Sequence, residues 1–146
     1  MIETKLNQIQ IYTKKGCPPK NCLEANLLSG YGIIGDRHEM DEKNPISISD
    51  MKTIQWKNDK KVLGLCFKKF SANLILDSLP QELFNIGYTF YIGDAIFEVV
   101  SIGKKCYKNE CELFKTGDQC LLTNGIIYVK SLTDSKICTG DYLKGI

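Results

Sequence analysis

The clearest structural signal lies in residues 88–102, which read YTFYIGDAIFEVVSI. Two apolar runs of strand length, 88–92 and 95–102, flank the pair Gly93-Asp94, whose residue types favour a tight turn. In the second run, apolar and polar residues alternate in part, as expected for a strand with one buried face. This stretch therefore predicts a β-hairpin.

Further strand-length runs occur on both sides of the hairpin. They lie at 6–12, 45–49, 62–67, 73–76, 126–129 and 142–143. Seven or eight short strands, with turn signals about every ten residues, favour a sandwich or a barrel. A closed barrel also leaves no unpaired sheet edges. The predicted fold is mainly β, a closed or partly open β-barrel with one or two short helices.

Two short helices are predicted between the strands. The first spans 50–57 and has Ser49 as its N-cap, and the second spans 110–115. The pair Gly-Asp recurs at 35, 93, 117 and 140, which we interpret as repeated turn chemistry rather than a sequence repeat.

The composition is that of a single globular domain covering residues 1–146. Hydrophobic residues make up 43% and charged residues 25%, and 19 basic against 17 acidic side chains give a net charge of +2. This balance argues against nucleic acid or an anionic membrane as a partner. We expect a cytoplasmic protein, because no apolar run resembles a signal peptide or a membrane span. The seven cysteines are then expected to be reduced.

The segment 103–106 is the strongest candidate for chemistry. It follows the predicted hairpin, and Lys104 and Lys105 immediately precede Cys106. Nearby positive charge stabilises a thiolate, which is the form that attacks electrophiles and binds soft metals. The alternative is a buried Cys106 that acts as a small apolar filler.

The other cysteines leave several interpretations open. Cys111 and Cys120 follow Cys106, which allows a reducible disulfide, a persulfide relay or a metal site. A four-thiolate site from Cys17, Cys22, Cys106 and Cys111 matches no usual zinc or iron–sulfur spacing. Cys66 and Cys138 are interpreted as packing residues.

Two further polar stretches carry candidate ligand-binding groups. In residues 35–38, the guanidinium of Arg37 is suited to phosphate or carboxylate, and His38 is the only histidine. The alternative is a local turn with a surface ion pair. In residues 68–73, Lys69 and Asn73 supply a cation and an amide, although a solvated loop explains this stretch equally well.

In their order along the chain, these segments resemble the MOSC domain, named after the C-terminal part of molybdenum cofactor sulfurase. The resemblance rests on a glycine-rich segment at 32–38, a short strand at 46–49 and a stretch at 69–74 similar to Arg-Phe-x-Glu-Asn-Leu. It continues through the hairpin region 83–100 to the family's characteristic cysteine, which aligns with Cys106. It covers about 6–143 and points to the small, stand-alone bacterial branch.

The resemblance implies a β-barrel of the MOSC or pyruvate-kinase-barrel type that handles sulfur or the molybdenum cofactor, molybdopterin. Cys106 would be the catalytic thiol and the metal ligand, and the predicted cofactor-binding residues are Arg37, His38, Lys69, Asn73, Lys104 and Lys105. Pyridoxal phosphate is not expected in this chain. The chain departs from the family where Lys69 replaces arginine, Ala72 replaces glutamate and Tyr107 replaces histidine.

Three functions follow as hypotheses. The first is a cofactor-binding or sulfur-carrying module, with a sulfurtransferase or a molybdoenzyme as its partner. The second is a small molybdenum-dependent oxidoreductase that reduces N-hydroxylated compounds, and the third is a barrel that has lost its chemistry. The sequence leaves the substrate and the oligomeric state open.

Overall fold

The computed structural model describes residues 4–13, 19–40, 45–59, 72–102 and 126–145. This part of the chain is mainly β-structure with one short α-helix and one 3₁₀ turn, as the sequence predicts. Its elements are β1 (Thr4–Ile11), β2 (Lys20–Cys22), β3 (Glu24–Asn26), β4 (Ile46–Asp50), α1 (Met51–Asp59), β5 (Leu74–Leu76), the 3₁₀ turn (Gln81–Leu83), β6 (Thr89–Ile92), β7 (Ala95–Ile102), β8 (Ile126–Ser131), β9 (Lys136–Cys138) and β10 (Tyr142–Gly145).

Seven strands close into a barrel. Their order is β10-β6-β7-β8-β4-β5-β1, and the ring closes where β1 pairs with β10 through Thr4 opposite Leu143. The pairs are antiparallel, except that β4 and β5 run parallel. Strand β2 extends the sheet beside β1. The closed form of the predicted barrel is therefore confirmed.

The predicted hairpin supplies much of the barrel core. Strands β6 and β7 pair antiparallel, with Phe90 opposite Phe97 and Ile92 opposite Ala95. These four side chains are fully buried, and the rings of Phe90 and Phe97 stack with centroids 5.6 Å apart. Burial alternates along β7, because every second residue faces the interior. The alternating apolar residues of β7 therefore identify its inner face in the barrel.

A separate two-stranded sheet, β3 with β9, packs on the same core. Ala25 lies opposite Ile137 in this pair, and both are buried in the cluster that fills the barrel. Neither strand was predicted from the sequence, and β2 was also missed. Each has only three residues, which is too short for an alternating pattern to stand out.

Helix α1 begins one residue later than predicted, and the predicted Ser49 cap is wrong. The side chain of Asp50 accepts a hydrogen bond from the Thr53 backbone N–H at 2.8 Å, which is the N-cap interaction. Ser49 instead lies fully buried in β4 and pairs with Ile75 and Ile126 on its two neighbours. The helix begins at Met51, so Asp50, the last residue of β4, occupies the N-cap position and Ser49 lies one residue too early.

Three of the four Gly-Asp pairs form turns, as predicted. Gly35, Gly93 and Gly140 have positive φ angles of 96°, 58° and 92°, a conformation that favours glycine. The fourth pair, at 117, lies outside the described residues, as do the predicted strand 62–67 and helix 110–115. In the part of the chain that the structure describes, no helix is long and apolar enough to cross a membrane.

Candidate functional site

The glycine-rich turn at residues 35–38 docks on the end of β1. The backbone N–H of Tyr12 donates to Asp36 Oδ1 at 2.8 Å, and the N–H of Arg37 donates back to the Tyr12 carbonyl at 2.7 Å. The Arg37 side chain is exposed, and His38 is half-buried. The turn therefore presents a cation and an imidazole from a backbone that is bonded to the barrel.

The four backbone N–H groups of this turn are already used. Gly35 donates to Glu39 Oε1 at 2.6 Å, and Asp36 donates to the Ile33 carbonyl at 3.1 Å. Arg37 bonds Tyr12 as above, and His38 donates to Asp36 Oδ2 at 3.0 Å. An anionic ligand here would have to be held by side chains, because no turn amide from 35 to 38 remains available as in a backbone anion nest.

Asp36 is the centre of a buried polar network. Its side chain is only 5% exposed, and its carboxylate accepts hydrogen bonds from Tyr12 N, His38 N and Asn73 Nδ2. The last bond measures 2.9 Å and joins residues that are 37 positions apart. A buried carboxylate needs such partners, because an uncompensated charge away from water is costly.

Asn73 links that carboxylate to three strands. Its Nδ2 donates to Asp36 Oδ1 and to the Gln10 carbonyl, and its Oδ1 accepts from both the N–H and the hydroxyl of Ser47 at 3.1 Å. The residue is 3% exposed. An amide has two donors and two acceptor positions, so these four bonds use its full capacity.

The segment that leads into this turn passes close to Pro45 and requires a glycine at position 32. A β-carbon there would lie 2.7 Å from the carbonyl oxygen of Pro45, which is a backbone contact that cannot be relieved by a rotamer change. The backbone of the glycine-rich segment therefore closely approaches Pro45, the residue preceding β4.

A row of residues connected by hydrogen bonds and strand register runs from Asn73 across the sheet. Asn73 bonds Ser47 of β4, Ser47 lies opposite Tyr128 of β8, and Tyr128 lies opposite Ser101 of β7. Ser101 precedes the segment 103–106 by a single residue, Ile102. The row thus connects the Arg37 turn to the strand end from which the Cys106 segment continues.

Two tyrosines in this region titrate abnormally. Burial raises the pKa of Tyr12, a backbone hydrogen bond with Ala72 opposes that effect, and the negative charge of Asp36 adds to it. Burial alone raises the pKa of Tyr128. Both phenols therefore keep their protons to a higher pH than an ordinary tyrosine does.

This burial predicts a loss of stability in alkali. As pH rises above 10.0, the usual phenol value, the unfolded chain releases these two protons before the folded chain does. The free energy of unfolding should fall until the folded-state pKa values are passed, and the double variant Tyr12→Phe, Tyr128→Phe should show a shallower fall. Denaturant unfolding at a series of pH values tests this. An equally steep fall in the double variant would contradict it.

Of the predicted site residues, the structure brings Arg37, His38 and Asn73 together. Cys106, Lys69, Lys104 and Lys105 lie outside the described residues, and their roles stay predictions. Sequence reasoning missed the network role of Asp36 and its partners Tyr12 and Ser47. The only sequence signal at Asp36 is the glycine before it, which predicts a turn. That signal does not identify a hydrogen-bond partner 37 positions away.

The described residues contain two free cysteines, Cys22 and Cys138, both half-buried. Within the same residues, no group of three or more histidine, cysteine, aspartate or glutamate side chains is arranged to hold a metal ion. The four-thiolate hypothesis stays untested. Three of its four cysteines lie outside the described residues, namely Cys17, Cys106 and Cys111.

Solved structures share this fold. The chain is similar to the YuaD protein from Bacillus subtilis, with a TM-score of 0.70 and 17% identity over 97% of this chain and 94% of that one. It is also similar to YiiM from Escherichia coli, with a TM-score of 0.60 and 17% identity over 100% of this chain and 70% of that one.

YiiM from Geobacillus stearothermophilus matches with a TM-score of 0.63 and 14% identity, over 98% of this chain and 75% of that one. No protein-family model matches the sequence, and no curated protein matches it. Identities this low show the fold alone. The chain therefore has the β-barrel fold of these proteins.

Proposed function

We propose that this protein binds the molybdenum cofactor or carries sulfur, with Cys106 as the working thiol. The general MOSC-like fold supports a module of this kind. The sequence adds a cysteine behind two lysines, a setting that favours the thiolate. A cytoplasmic location and a sulfurtransferase or molybdoenzyme partner belong to the same proposal.

The observation that carries the proposal is the row Asn73–Ser47–Tyr128–Ser101. Hydrogen bonds and strand register connect its members. One end bonds Asp36, which holds the turn that presents Arg37 and His38. The other end is followed closely by 103–106. Of the two segments that the sequence selects separately as candidates, 35–38 is bonded to this row, and 103–106 follows its last strand in the sequence.

The turn that presents Arg37 and His38 fits an anionic cofactor. Arg37 is exposed and offers a planar fork that matches a phosphate, and the turn amides are already engaged, so specificity for the anion falls to side chains. We propose that Arg37, His38, Lys69, Lys104 and Lys105 hold the cofactor phosphate. When bound, molybdenum supplies a soft metal centre, for which a thiolate is a suitable ligand.

As a sulfur carrier, Cys106 would accept sulfur from a persulfide on a donor protein. The Cys106 thiolate attacks the outer sulfur of the donor persulfide, a new S–S bond forms on Cys106, and the donor leaves as a thiolate. No external oxidant is consumed, because the sulfane sulfur is exchanged between two thiols.

The test compares Cys106→Ser with the wild type and with Cys22→Ser, a control at a half-buried cysteine. Each protein is made in a host that produces molybdenum cofactor and is analysed by native mass spectrometry and by metal analysis. We expect molybdopterin or one added sulfur atom on the wild type and on Cys22→Ser, and neither on Cys106→Ser. Equal loading of Cys106→Ser would refute the role of this thiol.

A further inference from the structure

Two roles for Asn73 can be separated by its contacts. The sequence selects it as a group that binds cofactor, but its amide makes four hydrogen bonds inside the protein and is 3% exposed. A ligand contact would have to break one of these bonds. Losing a buried partner costs more than a new bond to a ligand returns on average.

The bond to Asp36 gives Asn73 a different task. Asp36 Oδ2 accepts from the His38 N–H, while its Oδ1 accepts from both Tyr12 N and Asn73 Nδ2. The carboxylate therefore cannot rotate without breaking contacts on both sides. The same carboxylate bonds the backbone N–H of His38. Its orientation therefore also determines the backbone positions from which the Arg37 and His38 side chains extend.

Within the described residues, Asn73 is the side chain that ties this carboxylate to the body of the barrel. The turn also bonds the backbone of Tyr12, at the end of β1. Asn73 enters from the start of β5 and is itself held by Ser47 of β4 and by the Gln10 carbonyl of β1. It thus relates the turn to three strands at once.

We infer that Asn73 is a positioning residue that acts through Asp36 to orient Arg37 and His38, and that it does not contact the ligand. The statement about the ligand rests on the proposed function, whereas the statement about the turn stands on the hydrogen bonds alone.

The experiment compares Asn73→Ala with Asn7→Ala and Arg37→Gln. Asn7→Ala removes an exposed amide whose Nδ2 donates to Asp77 Oδ1, the same kind of bond as that of Asn73 with Asp36 but outside the Asp36 network. Arg37→Gln removes the cation but keeps the turn. Amide hydrogen exchange is followed by NMR at Arg37 and His38, and inorganic phosphate is the binding probe.

In Asn73→Ala, exchange at both amides should accelerate about tenfold or more relative to the Phe97 amide, and phosphate should bind about tenfold more weakly. Asn7→Ala should change neither quantity at the turn. Arg37→Gln should lose phosphate binding while exchange stays at the wild-type rate. If Asn73→Ala fails to fold, Asn73→Ser replaces it, because a serine hydroxyl is too short to reach Asp36.

Weaker phosphate binding in Asn73→Ala, with exchange at Arg37 and His38 unchanged, would overturn the inference, because it is the signature of a direct ligand contact. Unchanged exchange and unchanged binding would overturn it as well. A wild-type protein that binds no phosphate counts against the proposed function, and the exchange comparison then still decides whether Asn73 positions the turn.

Discussion

Replacing Asn73 with aspartate is expected to lower the free energy of unfolding by about 3 kcal/mol or more. The new carboxylate would face Asp36 Oδ1 across the present 2.9 Å contact, at a site where both residues are at most 5% exposed. It would also lose the donor to the Gln10 carbonyl. Urea denaturation of the variant and the wild type measures the difference.

A matched control is available on the protein surface. Asn7 Nδ2 donates to Asp77 Oδ1 at 2.7 Å, so this pair has the same chemistry as Asn73 with Asp36, but it is exposed. Asn7→Asp should cost less than about 1 kcal/mol, since water screens the two charges. Similar losses at positions 73 and 7 would show that the Asp36–Asn73 pair is not buried as the structure describes.

Replacing Phe97 with alanine is expected to cost about 3–5 kcal/mol of stability. Phe97 is fully buried inside the barrel and stacks on Phe90 of the neighbouring strand with ring centroids 5.6 Å apart. Truncation removes this apolar burial and leaves a cavity that closed strands cannot collapse to fill. Denaturant unfolding, together with the melting temperature, provides the measurement.

The control for Phe97→Ala is Tyr91→Ala on β6. Tyr91 is also aromatic and belongs to the same hairpin, where it lies opposite Ile96, but it faces outward and is only half-buried. Its loss should cost clearly less, about 1.5 kcal/mol or below. If Tyr91→Ala proves as damaging as Phe97→Ala, the inward and outward faces of the hairpin have been assigned the wrong way round.

The mainly β fold could be predicted from the sequence because its signals are local. A strand with one buried face shows alternating apolar and polar residues in its sequence. The Gly-Asp pairs at 35, 93 and 140 indicate turns, because glycine favours the positive φ angles found there. Signals failed where elements were short, as in β2, β3 and β9, each of three residues. The Ser49 cap failed because two adjacent polar residues competed, and the sheet register placed Asp50 rather than Ser49 at the helix start.

The candidate site was also predictable only in part from local sequence. Residue type alone selected Arg37, His38 and Asn73, since a guanidinium, an imidazole and an amide are groups that bind ligands wherever they occur. It did not distinguish a residue that faces a ligand from one that holds a neighbour. That distinction depends on burial and on partners, and both are properties of the folded chain.

The sequence by itself determined the class of fold, the hairpin at 88–102, the turns and the residue types of the candidate site. Only the tertiary structure decided that β1 closes the barrel against β10, and that Asn73 is buried and bonds Asp36 and Ser47 rather than being exposed. The physical reason is distance along the chain. Alternation and turn preferences act between neighbouring residues, whereas these hydrogen bonds join positions 26 and 37 apart, which meet only after the strands have paired.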